Sequence, residues 1–287
     1  MITIIKYTFK EMLKKRAFLL VFILSLLYLS IYAFGLSRIF ERPSDSIYDI
    51  IFQSEILSAG LFFANLIVAF LVVLTSVNAI SGEIESGTIY SILSKPIKRY
   101  ELVLGKFIGL SIMIVLYSSI MFLSVVGLNI WFGSKISFGW DNILKGLFFF
   151  DLGPIVFLAL IIASSSIFST INTGIIAIMA YGIALVGGVL EQIGTAIQQS
   201  QVGAFGLKSG ESLINAGIIT SLILPTDVIY RKMTAELLTQ SSGISFMMTQ
   251  GLFGGMSQPS IYMFIYIFFY VVFLLYYGAK RFSQRDL

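Results

Sequence analysis

Six long apolar runs constrain this chain more than any other feature of its sequence. A bilayer core about 30 Å thick is crossed by a helix of roughly 20 apolar residues, and the runs have about that length. They cover residues 17–36, 56–80, 105–132, 147–168, 173–190 and 261–279. Charged residues make up 12% of the chain, about half the share found in a soluble domain. The sequence therefore predicts an all-α, polytopic membrane protein with six transmembrane helices.

The lysine and arginine residues predict how these helices are oriented. Cytoplasmic loops of membrane proteins carry an excess of Lys and Arg. Twelve of these residues lie at the two termini and in residues 81–106, whereas seven lie in the loops of the other side. We therefore expect a multi-pass protein of the cell membrane, in a prokaryotic plasma membrane, with both termini and the 81–104 loop in the cytoplasm.

A shorter apolar segment, residues 213–225, precedes the last run. Its thirteen residues are too few to cross a bilayer, and Pro225 ends it. A seventh span would also place Lys280 and Arg281 outside the cell, against the charge rule. We expect an interfacial or re-entrant helix within an external cap formed by residues 191–260. The alternative is a loop without fixed structure.

Residues 2–16 have the pattern of an amphipathic helix. The apolar and basic residues each recur at helical spacing. The apolar set is Ile5, Phe9, Met12 and Leu13, and the basic set is Lys6, Lys10 and Lys14; Lys15 and Arg16 follow directly. Such a helix lies in the inner headgroup layer of the membrane. The alternative is a basic anchor that only fixes topology.

Residues 81–104 form a polar, charged island between the second and third apolar runs. Its apolar residues recur near a helical period, which predicts a short amphipathic helix from about Ser81 to Ser94, lying across the membrane surface. Glu83 and Glu85 stand in the first turn of this helix, where negative charge complements the helix dipole. The alternative is an ordinary solvated loop.

The second half of the island contains residues that shape the backbone. Gly87 permits another backbone to approach closely. Pro96 ends the predicted helix, because it disfavours the α conformation of the preceding residue and lacks an N–H donor. Lys98 and Arg99 then begin the next helix, which enters the membrane at Gly105 and Lys106.

This island resembles the coupling loop of type-2 permeases of ATP-binding-cassette (ABC) exporters, which packs on the motor ATPase. The matching residues, in order, are Gly82, Glu83, Gly87, Thr88, Leu93, Ser94, Lys95, Pro96, Arg99, Gly105 and Lys106. The resemblance implies that the loop, including Glu85, couples the permease to the ATPase. The resemblance extends to the Phe9-Lys10-Glu11 opening, to the Asp-Val-Ile-Tyr-Arg run after Pro225 and to the basic C-terminus. It is nearest to the nitrous-oxide-reductase-maturation-like and antibiotic-export branches.

The resemblance implies a function and a set of partners. The whole chain, residues 1–287, would be a single transmembrane permease domain, with residues 2–16 as an elbow helix that also touches the ATPase. Cytoplasmic ABC ATPase subunits would bind the ATP and Mg²⁺, and a second permease, identical or different, would complete the dimer. The substrate would be a lipid, peptide, drug or ion, and membrane lipids would surround the complex.

Enzymatic function is disfavoured by what the chain lacks. It contains no His and no Cys, which removes thiolate and imidazole metal ligands and the schemes that need a His or Cys base or nucleophile. A phosphate-binding loop needs Gly five positions before Gly-Lys and a hydroxyl after it, but Tyr100 and Phe107 occupy those positions. We expect no catalytic residue, no metal site, no cofactor and no nucleic-acid partner in this chain.

Four polar residues within the apolar runs are candidates for a transport pathway. Asp151 is the only acid within an apolar run, where an ionisable group is functional by default; its alternative position is at the outer headgroups. Asn65, Thr75 and Asn78 could line a polar pathway or form interhelical hydrogen bonds. A channel or secondary transporter is the remaining alternative function, although it predicts inverted repeats or charges at the midplane, and neither is visible.

Overall fold

The computed structural model describes residues 2–40, 47–90, 98–132, 139–199, 203–238 and 259–284. Those residues form ten helices and contain no strand. The helices are α1 (Ile2–Lys14), α2 (Arg16–Phe40), α3 (Ile47–Ser76), α4 (Ser81–Glu85), α5 (Arg99–Trp131), α6 (Trp140–Ile167), α7 (Thr170–Gln199), α8 (Gly203–Ile223), α9 (Thr226–Leu238) and α10 (Ile261–Ser283).

Among the described residues, six helical segments are long and apolar enough to cross a membrane: α2, α3 continuing into α4, α5, α6, α7 and α10. Each coincides with one predicted run, so the six-span, all-α architecture is confirmed. The helices are longer than the runs because hydrogen bonding continues into polar residues at each end. The 33 residues of α5 extend about 50 Å, so this helix tilts or projects beyond the hydrocarbon core.

The core of the bundle forms around α6. The apolar window of α6 is 72% buried, compared with 11% for α2 and for α10. Phe157 and Ile161 of α6 pack in one apolar cluster with Ile114 of α5 and Val72 of α3. The outer faces of α2 and α10 are therefore left for lipid or for another chain.

The two ends of the bundle differ in charge. Helices α1 and α4, the start of α5 and the end of α10 meet at one end, which we call the basic end. Two contacts show this meeting: Arg99 donates a hydrogen bond to the Ser283 carbonyl, and Lys106 pairs with Glu83. A helix, α1, forms where the amphipathic N-terminal helix was predicted, with Met12 buried and Leu13 half exposed; its contact with an ATPase stays a prediction.

Helices α8 and α9 form a hairpin at the other end, which we call the opposite end. They are bent by 106° at residues 224–225. Helix α8 runs antiparallel to α7, with Gly210 against Gln198 and Thr220 against Gly187. Helix α9 then returns along α6 towards its Trp140 end, with Leu237 beside Gly146. The hairpin enters and leaves at the opposite end, which agrees with the re-entrant form of the prediction for residues 213–225.

The predicted cap does not begin where the sequence suggested. Helix α7 continues to Gln199, so residues 191–199 belong to the fifth span. Residues 203–238 are almost entirely helical, and residues 239–258 lie outside the described part of the chain.

Candidate functional site

The polar island forms a shorter helix than its periodicity predicted. Helix α4 covers only Ser81–Glu85, and a turn follows before the chain becomes helical again at Ile89 and Tyr90. The prediction of one continuous helix from Ser81 is therefore wrong, because the backbone at Gly87 has a φ of 72°. That conformation is left-handed and cannot continue a right-handed helix.

This backbone conformation explains why residue 87 is glycine. A Cβ atom built at Gly87 would meet no described atom closer than 4.0 Å. Within the chain, the position therefore requires glycine for its positive φ, which costs other L-residues roughly 1–2 kcal/mol. The turn is closed by Thr88, whose hydroxyl donates to the Glu83 carbonyl at 3.4 Å.

Glu83 and Lys106 form a buried ion pair between α4 and α5. Their charged atoms, Oε1 and Nζ, are 2.6 Å apart, and the side chains are 17% and 7% exposed. Lys106 also donates to the carbonyl of Ala79, immediately before α4. Both residues thus face the interior of the bundle and link α4 to the third span.

Hydrogen bonds also join α4, and Ile80 just before it, to Ser165 of the fourth span and to Thr170 of the fifth. The backbone N–H groups of Ile80 and Ser81 donate to the Ser165 hydroxyl of α6, at 3.1 and 3.0 Å. The Ser81 and Thr170 hydroxyls are 2.9 Å apart. The Thr170 N–H, at the first residue of α7, donates to Glu85 Oε1 at 2.8 Å, so the carboxylate lies at the positive end of that helix. We call the contacts of α4 with α5, α6 and α7 the α4 junction.

Helix α1 packs against the same end of α5. Cβ atoms built at Gly105 and Gly109 would come within about 3.0 Å of Ile4 and Thr8, so these glycines allow α1 to approach α5 closely. Lys15 pairs with Glu11 at 3.3 Å and lies 3.5 Å from the Asn78 amide oxygen, which follows α3. The elbow helix is therefore coupled to the ends of two spans.

The exposed face of the α4 junction differs from its buried face. Glu85, Ser86, Thr88 and Tyr90 are exposed there, and Lys10, Lys14 and Arg16 are exposed on and beside α1, with Arg99 half buried. These side chains can contact a partner, whereas Glu83 and Lys106 are enclosed. The remaining predicted coupling residues, Leu93, Ser94 and Pro96, lie outside the described residues.

The candidate pathway residues do not converge on one site. Thr75 is buried and donates to the Leu71 carbonyl of its own helix at 2.6 Å. Asn65 is half buried and Asn78 is exposed at the basic end. Asp151 accepts hydrogen bonds from Ser118 and Ser119 of α5, at 2.5 and 2.8 Å. Asp151 lies about 16 Å along α6 from Trp140, so its hydrogen bonds connect two spans within the bundle.

The sequence did not reveal a buried charge cluster around Arg231, a residue that entered the predictions only as a loop cation and as the end of the Asp-Val-Ile-Tyr-Arg run. Arg231 is 2% exposed and donates two hydrogen bonds to the Glu191 carboxylate, at 2.6 and 2.8 Å. Asp227 Oδ2 lies 3.0 Å from Arg231 Nε, without good hydrogen-bond geometry. The signal was the i, i+4 spacing of Asp227 and Arg231 in a helical segment. The cluster fixes α9 to α7 and connects the re-entrant hairpin to the fifth span.

Comparison with known proteins assigns this architecture to a family. The family described as ABC-2 family transporter protein matches residues 2–287. A comparison with curated proteins gives no significant match. The family match covers all six spans, both basic termini and the α4 junction. The chain therefore belongs to the ABC-2 family of transporter proteins and is a membrane permease of the ABC transporter type.

Proposed function

We propose that this chain is the permease subunit of an ABC exporter, driven by separate cytoplasmic ATPase subunits that dock at the basic end. The observation that carries the proposal is the α4 junction: one five-residue helix is bonded to α5 through Lys106, to α6 through Ser165 and to α7 through Thr170. A force on α4 therefore reaches three spans directly.

The distribution of Lys and Arg also supports a cytoplasmic position for the basic end, where the ATPase would dock. Lys and Arg are concentrated at the basic end, which is the pattern of a cytoplasmic face. Lys106 lies inside α5 and is held by Glu83, so it is not positioned to cradle a phosphate. ATP and Mg²⁺ would then bind to the partner subunits.

The proposed mechanism uses the two faces of the junction differently. The exposed turn from Glu85 to Tyr90, with α1 beside it, would contact the ATPase. The buried pair of Glu83 and Lys106 would transmit the movement as ATP binding closes the ATPase dimer. Two packings of the spans, inward-open and outward-open, would be biased in this way, with substrate passing between this chain and a second permease.

The first test asks whether the conformation of the turn at Gly87 matters for coupling, apart from the effect of adding a large side chain elsewhere. The partner ATPase would be identified by mass spectrometry after co-purification with the tagged chain, and the complex reconstituted in proteoliposomes. Gly87→Leu should abolish transport-coupled ATP hydrolysis, because leucine is strained at a φ of 72° and so distorts the turn. Gly87→Asn should retain activity, because Asn tolerates this conformation.

Gly127→Leu is the matched control, since a Cβ there meets nothing within 4 Å. It should insert and function normally. Normal coupled hydrolysis in Gly87→Leu would refute docking at this turn.

The second test separates docking from transmission. Glu83→Gln should leave the amount of co-purified ATPase unchanged, because Glu83 is enclosed, but should uncouple hydrolysis from transport. Arg99→Glu should lower both the amount of co-purified ATPase and the coupled hydrolysis, because it places a negative charge beside the proposed contact. If Glu83→Gln instead lost the ATPase while remaining folded, Glu83 would belong to the docking surface.

A further inference from the structure

A groove between α6 and α10 lies in the half of the bundle nearest the opposite end. It has a volume of about 560 Å³, is open on one side, and is lined by twelve residues, of which eleven are apolar. Phe149 and Phe264 meet at its base, with ring centroids 5.3 Å apart. Phe148 and Phe268 form its rims and are 63% and 65% exposed. The groove therefore offers an enclosed apolar base to a molecule in the membrane.

The groove has the depth of one membrane leaflet. Its walls follow α10 from Ile261, the first residue of that span, to Val272. This stretch is about 16 Å long, which is about half of the 30 Å hydrocarbon core. A molecule bound along it would run from the headgroup boundary towards the bilayer centre.

Lys232 is the only charged residue among those that line the groove. It lies on α9 between Ile229, which faces Gly153, and Leu237, which faces Gly146. This is the level of Phe149 and Phe264, about one turn below the start of α10. The ammonium group of Lys232 therefore lies near the boundary between headgroups and hydrocarbon.

The ammonium group of Lys232 can donate a hydrogen bond to a further ligand. It pairs with Glu236 at 2.7 Å, and the two side chains remain 23% and 27% exposed. An ammonium group has three N–H donors, so the bond to Glu236 leaves donors for an anion.

We propose that this groove binds a phospholipid, with one acyl chain along α10 and the phosphate accepting a hydrogen bond from Lys232. The apolar walls match the chain, and the single cation at the headgroup boundary matches the phosphate. A transmembrane helix, a cylinder about 11 Å wide, could enter this groove only in part, and an apolar helix would leave Lys232 without an anion.

The experiment is photo-cross-linking in proteoliposomes that contain the full chain. The probe is phosphatidylglycerol with a diazirine in one acyl chain, and labelled peptides are mapped by mass spectrometry. We expect label on residues 148–155 and 261–272 to be displaced by unlabelled phosphatidylglycerol. Label on the exposed face of α2 reports ordinary surrounding lipid and should not show saturable displacement.

Two variants test the two parts of the proposal. Ile155→Trp fills the groove and should lower labelling of the groove about tenfold, while labelling of α2 stays unchanged. Val272→Trp, at a half-exposed wall of the groove, replaces it if Ile155→Trp does not insert into the membrane. Lys232→Gln should lower phosphatidylglycerol labelling about fivefold but should not affect a diacylglycerol with the same diazirine chain.

Lys145→Gln is the matched control, because Lys145 also forms an i, i+4 pair, with Asp141, and does not line the groove. Its groove labelling should equal that of the unmodified chain. Unchanged groove labelling in both Trp variants would overturn the proposal. Cross-links from the groove to residues 239–258 or to a second copy, in place of lipid, would also overturn it.

Discussion

At the residue scale, Asp151 is held by hydroxyl groups. It accepts from Ser118 and Ser119, and no cationic side chain among the described residues forms an ion pair with it. Two hydroxyl donors can stabilise a partly buried carboxylate. The arrangement favours a role in joining α6 to α5, while a role in the transport pathway stays a prediction.

Asp151→Asn tests these two roles. An amide keeps the shape and one acceptor, so the variant should lose only about 1 kcal/mol of stability and assemble with a normal coupled ATPase rate. The measurement is the hydrolysis rate against the yield of reconstituted complex. A reduced rate at normal yield would place Asp151 on the pathway.

Arg231 is buried together with the carboxylates of Glu191 and Asp227. Removing one partner from a buried ion pair is costly because the remaining charge is left without compensation. The two possible removals are not equivalent: loss of Arg231 leaves two carboxylates, whereas loss of the Glu191 charge leaves Arg231 with Asp227.

Arg231→Gln should therefore destabilise the protein by about 3–5 kcal/mol, and Glu191→Gln should destabilise it less. Thermal unfolding of the purified variants in one detergent checks this order. Lys145→Gln, whose side chain is 50% exposed, should unfold at the same temperature as the unmodified protein. Equal losses for Arg231→Gln and Glu191→Gln would contradict the assignment of Arg231 as the shared partner.

At the scale of elements, small residues let α7 and α8 pack closely. A Cβ built at Gly194 would lie 2.8 Å from the Gly210 carbonyl oxygen, and one at Gly217 would lie 2.7 Å from that of Gly187. Such contacts bring the two helix backbones together. The re-entrant hairpin is thus held by close backbone packing as well as by Arg231.

Two glycines of α7 provide a matched comparison. Gly187→Ala should cost about 1–3 kcal/mol by overpacking, since its Cβ would overlap the Thr220 side chain. Gly182→Ala should be neutral or slightly stabilising, because nothing lies within 4 Å and alanine favours a helix. Thermal unfolding in detergent measures both, and similar behaviour of the two variants would argue against the close α7–α8 packing.

At the scale of the whole molecule, six candidate spans and a re-entrant hairpin place the first and last described residues, Ile2 and Gln284, at one end. The absence of cysteine means that single cysteines can report accessibility without background. Ser86 and Ser283 are exposed at the basic end, and the Asp141 side chain is 68% exposed at the opposite end.

Single cysteines at these positions should label from two sides of the membrane. In right-side-out vesicles, an impermeant thiol reagent should modify Asp141→Cys but reach Ser86→Cys and Ser283→Cys only after permeabilisation. Labelling of Ser86→Cys in sealed vesicles would reverse the proposed orientation. Labelling of Ser283→Cys but not Ser86→Cys would show an odd number of crossings.

The sequence by itself determined the number of spans, their approximate positions and the amphipathic N-terminal helix. Bilayer thickness fixes the length of an apolar helix, and helical periodicity fixes which residues share a face, so local patterns were sufficient. The same reasoning identified the 81–104 island and placed the start of the third span's helix at Lys98 and Arg99; that helix begins at Arg99.

The tertiary structure decided which side chains meet. Glu83 and Glu85 are two positions apart, yet one pairs with Lys106 inside the bundle and the other lies exposed beside Thr170. Periodicity could not reveal the break at Gly87, because it depends on one positive φ. It also could not bring Glu191 to Arg231, since that contact joins two helices across 40 residues. Spacing along a chain describes single helices, whereas charge compensation between helices depends on how they pack.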